Sequence, residues 1–260
     1  MSYENFILER KGQIALVTLN RPEKGNSWTQ ETYLEMEQLQ TELHKDDGIR
    51  AIIFTGAGNK FFCAGADLML LSELNSHWIS LELAHFQAIN TRWDRHLKPI
   101  IMAINGITVG SGLELALSGD IRIASSEATF SINEVRLGLS PDMGGTQRLT
   151  RVVGPSQAKR LILTAETIDA QEAARIGLVD RVVPAEDLIP EALKMAERIT
   201  QMPPLAVRLA KKAINLAVDT PLEAGLMFEE IASTFCIGTN DKKEAVQSIL
   251  DKRPAEFYGR

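Results

Sequence analysis

An α/β body followed by an all-helical tail is the fold class this sequence predicts. Three observations carry it. Short apolar runs alternate with helix-periodic segments as far as Val183, the strand-like runs stop at Pro184, and four helix-periodic segments fill the remainder. With 260 residues, 45% of them hydrophobic, the chain can bury one large core, or a core and a smaller appendage. The change of character lies between residues 184 and 203. It divides the chain into a body, residues 1–190, and a helical region, residues 191–260.

Taken in order, residues 14–19 form a compact run rich in β-branched side chains, a strand that Asn20-Arg21-Pro22 ends. Ser27 with Gln30 three residues later is a capping-box pattern. The helix it predicts shows Tyr33, Met36, Leu39 and Leu43 on one face. Residues 51–54 are the next strand, followed by a glycine-rich loop. Gly56-Ala57-Gly58 is no dinucleotide fingerprint, because Phe61 stands where the third glycine is needed. Ile79, Leu83, Phe86, Ile89, Trp93 and Leu97 predict a long amphipathic helix. Residues 99–104 read as a buried strand, 106–112 as a glycine-punctuated turn, and 113–117 as a brief helix. The four tail helices are predicted at 188–200, 204–218, 222–235 and 242–250.

Composition excludes several function classes. The 28 basic and 34 acidic residues give a net charge of −6, which predicts no nucleic-acid partner. Cys63 and Cys236 make no disulfide framework and point to a reducing compartment; Cys63 is expected to pack as a small apolar residue. His44, His77, His85 and His96 show no paired ligand spacing, so no metal is expected, and His85 is placed on a helix surface. The acidic start of the chain is unlike a signal or transit peptide, and no apolar run has membrane-spanning length. A cytoplasmic protein without membrane partners is the expectation. Gly110-Ser111-Gly112 is not a hydrolase elbow, since Val109 and Leu113 occupy the outer glycine positions.

The chemistry concentrates between Lys98 and Leu149. The amides that open the brief helix after Gly112 lack intrahelical acceptors and can receive developing negative charge. Glu114 sits just inside that helix, and Glu134 follows in a second turn-like segment. A helix start with two carboxyls suits acid–base work beside a polarised carbonyl. Plainer structural readings stand beside this one. The glycines also suit a tight strand-to-helix turn, Glu114 a dipole-favoured first-turn acid, and Glu134 an exposed loop acid.

Three motifs, AGADL at 64–68, GSGLELALSGDIRIA at 110–124 and GLSPDMGGTQRL at 138–149, occur in that order. With Asn20-Arg21-Pro22 before them and Lys252-Arg253 after, the chain resembles the crotonase (enoyl-CoA hydratase/isomerase) superfamily over nearly its whole length. The resemblance implies a crotonase-like spiral of ββα units with a helical C-terminal trimerisation region. A homotrimer, or a homohexamer built as a dimer of trimers, is expected. The implied substrate is an acyl-CoA thioester, with coenzyme A part of the substrate and no separate cofactor.

The resemblance also assigns residues. The backbone amides of Ala66 and Ser111 take the oxyanion positions, and Ser111 departs from the family's usual glycine. The amide survives that change, so the amide rather than the hydroxyl is expected to serve. Glu114 and Glu134 match the glutamates that hold the attacking water, and Glu134 also exchanges the proton at C2. Coenzyme A contacts carry over to Lys24, Gly25, Ala64, Ala66, Asp67 and Leu68, and to Lys252 at the nucleotide end. Met69, also placed among the coenzyme A contacts, stands where many hydratases have lysine. Trp28 and the segment around Trp78 are implied near the acyl pocket.

Asp142 stands where plain hydratases commonly have glycine and double-bond isomerases an aspartate. It reads either as an additional proton carrier or as part of a Pro141-Asp142 turn capping the helix that opens at Gly144-Gly145-Thr146. The activity implied is reversible addition of water to a 2-enoyl-CoA. The alternatives are an enoyl- or dienoyl-CoA isomerase, or a hydratase or hydrolase of an alicyclic acyl-CoA. Some relatives bind RNA; the acidic balance and the glutamate pair oppose a purely binding role.

Overall fold

The computed structural model describes residues 3–260. Two sheets organise it. The larger runs in the order β1 (Phe6–Lys11), β2 (Ile14–Leu19), β3 (Ala51–Gly56), β5 (Ile100–Ile104), β7 (Ile121–Ser125) and β10 (Arg181–Val183). Only its β1–β2 pair is antiparallel. The smaller runs β4 (Phe61–Cys63), β6 (Ile107–Val109), β8 (Thr129–Ser131) and β9 (Ile168–Asp169), with β9 antiparallel to β8.

Three successive strand pairs, β3/β4, β5/β6 and β7/β8, place their first strand in the large sheet and their second in the small one. Helices follow each pair: α2 (Leu68–Glu73) and α3 (Ser76–Asp94), then α4 (Ser111–Ala116), then α5 (Gly145–Thr164), which kinks at Gly154. The chain is thus a spiral of ββα turns, as the sequence resemblance implied. Every residue of β3 and β5 is buried, the pattern of parallel strands covered on both faces.

Helix α1 (Gln30–Lys45) buries Tyr33, Met36, Leu39 and Leu43 as its spacing predicted. Its cap differs from expectation: Thr29 and Thr32 form the capping box, not Ser27 and Gln30. Ser27 is engaged elsewhere, donating from its hydroxyl to Asp67 at 3.2 Å. Trp28 pairs in extended form with Ala66, so the helix starts only beyond it. Helix α3 ends at Asp94, short of Leu97, which is exposed.

One core lies between the two sheets and helices α1 and α3 to α6, α6 spanning Ala170–Arg175. The second lies on the outer face of the large sheet, where α7 (Leu188–Thr200) sets Leu188, Ala192 and Ala196 against Ile14, Ile53, Ile101 and Ile123. The expected division at residues 190 and 191 therefore falls inside a helix that packs on the body. Helices α8 (Pro204–Ala217), α9 (Leu222–Ile237) and α10 (Asn240–Asp251) follow. Helix α8 buries Lys211, which pairs with Asp120 at 2.7 Å; α9 buries no residue. Arg50 donates to the carbonyls of Thr200 and Phe257, tying the end of the chain to the body.

Candidate active site

Two loops meet at the C-terminal ends of β4 and β6. Between β4 and α2, the Trp28 amide donates to Gly65 O at 2.9 Å and the Asp67 amide to Trp28 O at 2.8 Å. Between β6 and α4, Gly110 takes φ +53° and Ser111 opens the helix. Among the described residues, neither the Ala66 nor the Ser111 amide donates to a backbone carbonyl.

Close approach explains the glycines. A Cβ on Gly110 would fall 2.6 Å from Glu134 Oε1, and one on Gly112 would collide with Cys63 O. A Cβ on Gly65, whose φ is +89°, would lie 2.8 Å from Val109 O and 3.5 Å from both Ser111 N and Ser111 Oγ. The amide and the hydroxyl of Ser111 therefore border the same space beside Gly65.

Three carboxyls, Glu114, Glu134 and Asp142, lie within interaction range of one another here. Glu114 is 1% exposed, and its Oε1 accepts from the amides of Gly145 at 2.7 Å and Met143 at 3.0 Å. It thereby holds the start of α5, whose own N-cap residue, Gly144, contributes no side-chain bond. Burial pushes the Glu114 pKa up to about 8; the charges of Glu134 and Asp142 add to the rise and the two amides oppose it. Glu134 opens a 3-10 turn, Glu134–Leu137, and its Oε2 is buried without a hydrogen-bond partner among the described residues. Its pKa is raised by burial and by Asp142, against the pull of nearby backbone amides.

Asp142 is also raised, chiefly by burial. Its side chain does not cap α5, contrary to the turn-and-cap reading. Its carbonyl accepts from Gln87 at 2.6 Å, and the carboxylate that caps the helix is Glu114. The plainer reading of Glu114, a first-turn acid of its own helix, leaves out its bond to α5.

Helical spacing alone gives Tyr33 as part of the core stripe of α1. The structure puts it in the chamber, beside Ser111 and in the field of Glu114 and Asp142. Its ring lies 5.0 Å from Trp28, stacked, and 4.6 Å from Phe86, which stacks on Trp78 at 5.3 Å. The signal that could have found it is a phenol in a stripe otherwise filled by Met36, Leu39 and Leu43.

The other expected residues cluster unevenly. Lys24 ends the short turn Pro22–Lys24, Gly25 follows in the left-handed region, and Gly25 O accepts from the Ala64 amide at 2.8 Å. Asp67 is held between Ser27, the Met69 amide at 3.0 Å and Arg21 at 3.6 Å, and caps α2. Leu68 and Met69 are 72% and 70% exposed. Lys252 is outside this cluster: it ends α10, exposed, at φ +54°. Cys63 is buried, its thiol pushed up to about 12 by burial, and donates to Asn26 O at 3.2 Å. It is therefore no nucleophile near neutral pH. Among the described residues no His, Cys, Asp and Glu group is arranged to hold a metal ion, and no helix is long and apolar enough to cross a membrane.

Free amides beside buried, pKa-raised carboxyls can polarise a carbonyl and move protons next to it. Known proteins with the same chain plan agree in kind. The Enoyl-CoA hydratase/isomerase family profile matches residues 9–260. Crotonyl-CoA hydratase of Syntrophomonas wolfei is 42% identical over 100% of both chains. Short-chain-enoyl-CoA hydratase of Clostridium acetobutylicum is 43% identical over 99% of each. The crystal structure of enoyl-CoA hydratase from Bacillus anthracis superposes with a TM-score of 0.96 at 36% identity, covering 99% of this chain and 100% of that one. With a profile and full-length relatives both matching, this chain belongs to the enoyl-CoA hydratase/isomerase family.

Proposed function

We propose that this protein is an enoyl-CoA hydratase, adding water reversibly across the 2,3 double bond of a 2-enoyl-CoA thioester. The observation that carries the reading is the juxtaposition of Glu114 and Glu134 with the unpaired Ala66 and Ser111 amides. The thioester oxygen sits between the two amides, which stabilise it as it gains enolate charge. Water lies between the glutamates and attacks C3. Glu114 Oε1 is engaged by Gly145 and Met143, which leaves Oε2 to orient the water.

Glu134 gives a proton to C2 and recovers one from the oxygen now bonded to C3, so it ends in the state it began. Burial raises the pKa of both glutamates, that of Glu114 to about 8, the direction in which a carboxyl becomes a better-held acid. Coenzyme A runs past Lys24, Gly25 and residues 64–68, and Lys252 serves its nucleotide end. The named relatives support short 2-enoyl thioesters as substrates. The test is incubation with 2-enoyl-CoA thioesters of increasing length, followed by mass. A gain of one water on the short thioesters is expected, and its absence on all of them overturns the reading.

A second reading has a specific observation in its favour. Asp142 is a third chamber carboxyl that does not cap α5, so an enoyl- or dienoyl-CoA isomerase with Asp142 as the remote proton carrier is its chemistry. The assembly we propose is a homotrimer, or two stacked trimers, joined through the helices beyond α7. Apolar side chains left exposed on α8 to α10 support it. A cytoplasmic setting fits the two unpaired cysteines.

A further inference from the structure

Ser111 carries a hydroxyl that its own fold leaves unused. The residue is 8% exposed, and Oγ has no hydrogen-bond partner among the described residues. Buried hydroxyls are ordinarily paired, so an unpaired one beside a substrate site calls for a ligand atom. The space it borders is known from Gly65. A Cβ there would be 3.5 Å from Ser111 N and equally far from Ser111 Oγ. Amide and hydroxyl thus face one place, next to the loop that presents the Ala66 amide.

Tyr33 is buried within interaction range of Ser111, with no hydrogen bond between the two hydroxyls among the described residues. A core aromatic needs no oxygen, and phenylalanine would stack as well between Trp28 and Phe86. The phenol is instead brought to Ser111 by a rigid route. Its ring stacks on Trp28, and the Trp28 backbone is bonded on both sides to the loop Gly65–Asp67. One scaffold therefore sets the Ala66 amide and the Tyr33 hydroxyl relative to each other.

We propose that the Ser111 hydroxyl is a third donor to the thioester oxygen, alongside the amides of Ala66 and Ser111, and that once the substrate is bound the Tyr33 phenol closes on Ser111 Oγ as a donor and holds it in that orientation. Ser111 is then a catalytic residue through its side chain as well as its backbone, and Tyr33 a positioning residue. Hydrogen bonds in such a chain polarise one another, so the donor strengthens as the enolate charge grows. The proposal rests on the reading that a coenzyme A thioester binds at these amides.

The experiment uses Ser111→Ala, Tyr33→Phe and the double variant with two readouts. The first is hydration of crotonyl-CoA. Ser111→Ala is expected to lower kcat about a hundredfold, the size of losing one oxyanion donor, with a smaller change in KM. Tyr33→Phe is expected to lower kcat less, and the double variant to match Ser111→Ala, because the phenol acts through the serine. The second readout is ionisation of bound acetoacetyl-CoA, a 3-oxo thioester whose enolate absorbs strongly in the ultraviolet. Its apparent pKa on the enzyme should rise in both single variants, a change that a merely structural role for Tyr33 would not produce.

Unchanged kcat and ligand ionisation in Ser111→Ala overturn the proposal, as do losses that multiply in the double variant. A wild type that lowers the pKa of acetoacetyl-CoA yet hydrates no 2-enoyl-CoA overturns the hydratase reading. It leaves the third donor standing if Ser111→Ala reverses that lowering.

Discussion

The chamber at α4 and the helices beyond α7 depart from ordinary burial in opposite directions. In the chamber, Ser111 Oγ and Glu134 Oε2 are buried without hydrogen-bond partners among the described residues, and burial raises the pKa values of Glu114 and Glu134. In α9, Leu222, Leu226, Met227, Ile231 and Phe235 are all more than half exposed. Both arrangements are costly for an isolated chain. On the proposed function each would be relieved from outside, by a polar substrate in the first case and by an apolar surface of a second copy in the second. Between them, strands β3 and β5 of the body are buried throughout.

The sharpest way to break this comparison is Glu134→Gln. Its kcat should fall between about a hundredfold and ten-thousandfold, the worth of a general acid–base group, with KM within a few-fold. A near-normal kcat in steady-state assays would remove Glu134 from the chemistry. On the apolar side, Leu226→Glu with Ile231→Glu should abolish self-association, reducing the sedimenting mass to the 28.7 kDa single chain. A wild-type protein that already sediments at 28.7 kDa would show that α9 needs no cover.

Glu114→Gln tests what burial of the carboxyl costs. Because the folded pKa lies near 8 and the ordinary value near 4.5, the folded state binds more protons than the unfolded one across that interval. Wild-type stability therefore falls as pH rises from 4.5 to 8. Glutamine can still accept from Met143 and Gly145, and its stability should lack this slope. The advantage of the variant should be absent at pH 4 and reach at most about 3 kcal/mol at pH 7, read by urea unfolding. An equal difference at both pH values would discard the account. The smallest effect is expected from Asp142→Asn. With no side-chain cap to lose, stability should stay within about 1 kcal/mol and hydration nearly constant. Turnover in deuterated water should label C2 only; label at C4 that disappears in the variant would favour the isomerase.

How far these regions were legible in the sequence depended on how local their causes are. The strand at 14–19 and the helix at 188–200 follow from runs of neighbouring residues, and the structure places them there. Ser27 misled because its partner, Asp67, lies forty residues away. Glu114 looked like a first-turn acid because its bond to Gly145 crosses 31 residues that spacing does not join. Tyr33 was hidden by fitting a helical stripe, since periodicity reports that a side chain points inward but not what it meets. Bringing Ala66 beside Ser111 depends on β4 pairing with β6, and only the family resemblance suggested it in advance. Sequence periodicity likewise found α9 without indicating that its apolar residues would be left uncovered.

The bond from Glu114 to the amides that open α5 has one more consequence. These two N–H groups exchange with solvent hydrogen only when they leave their acceptor, so their exchange rates follow the state of the carboxyl. An ionised Glu114 accepts more strongly than a protonated one. Exchange at Gly145 and Met143, corrected for the intrinsic rate at each pH, should therefore slow relative to the rest of α5 as Glu114 loses its proton. Two backbone positions, readable by amide spectroscopy without substrate or dye, then become a titration gauge for a side chain that is itself out of reach of solvent.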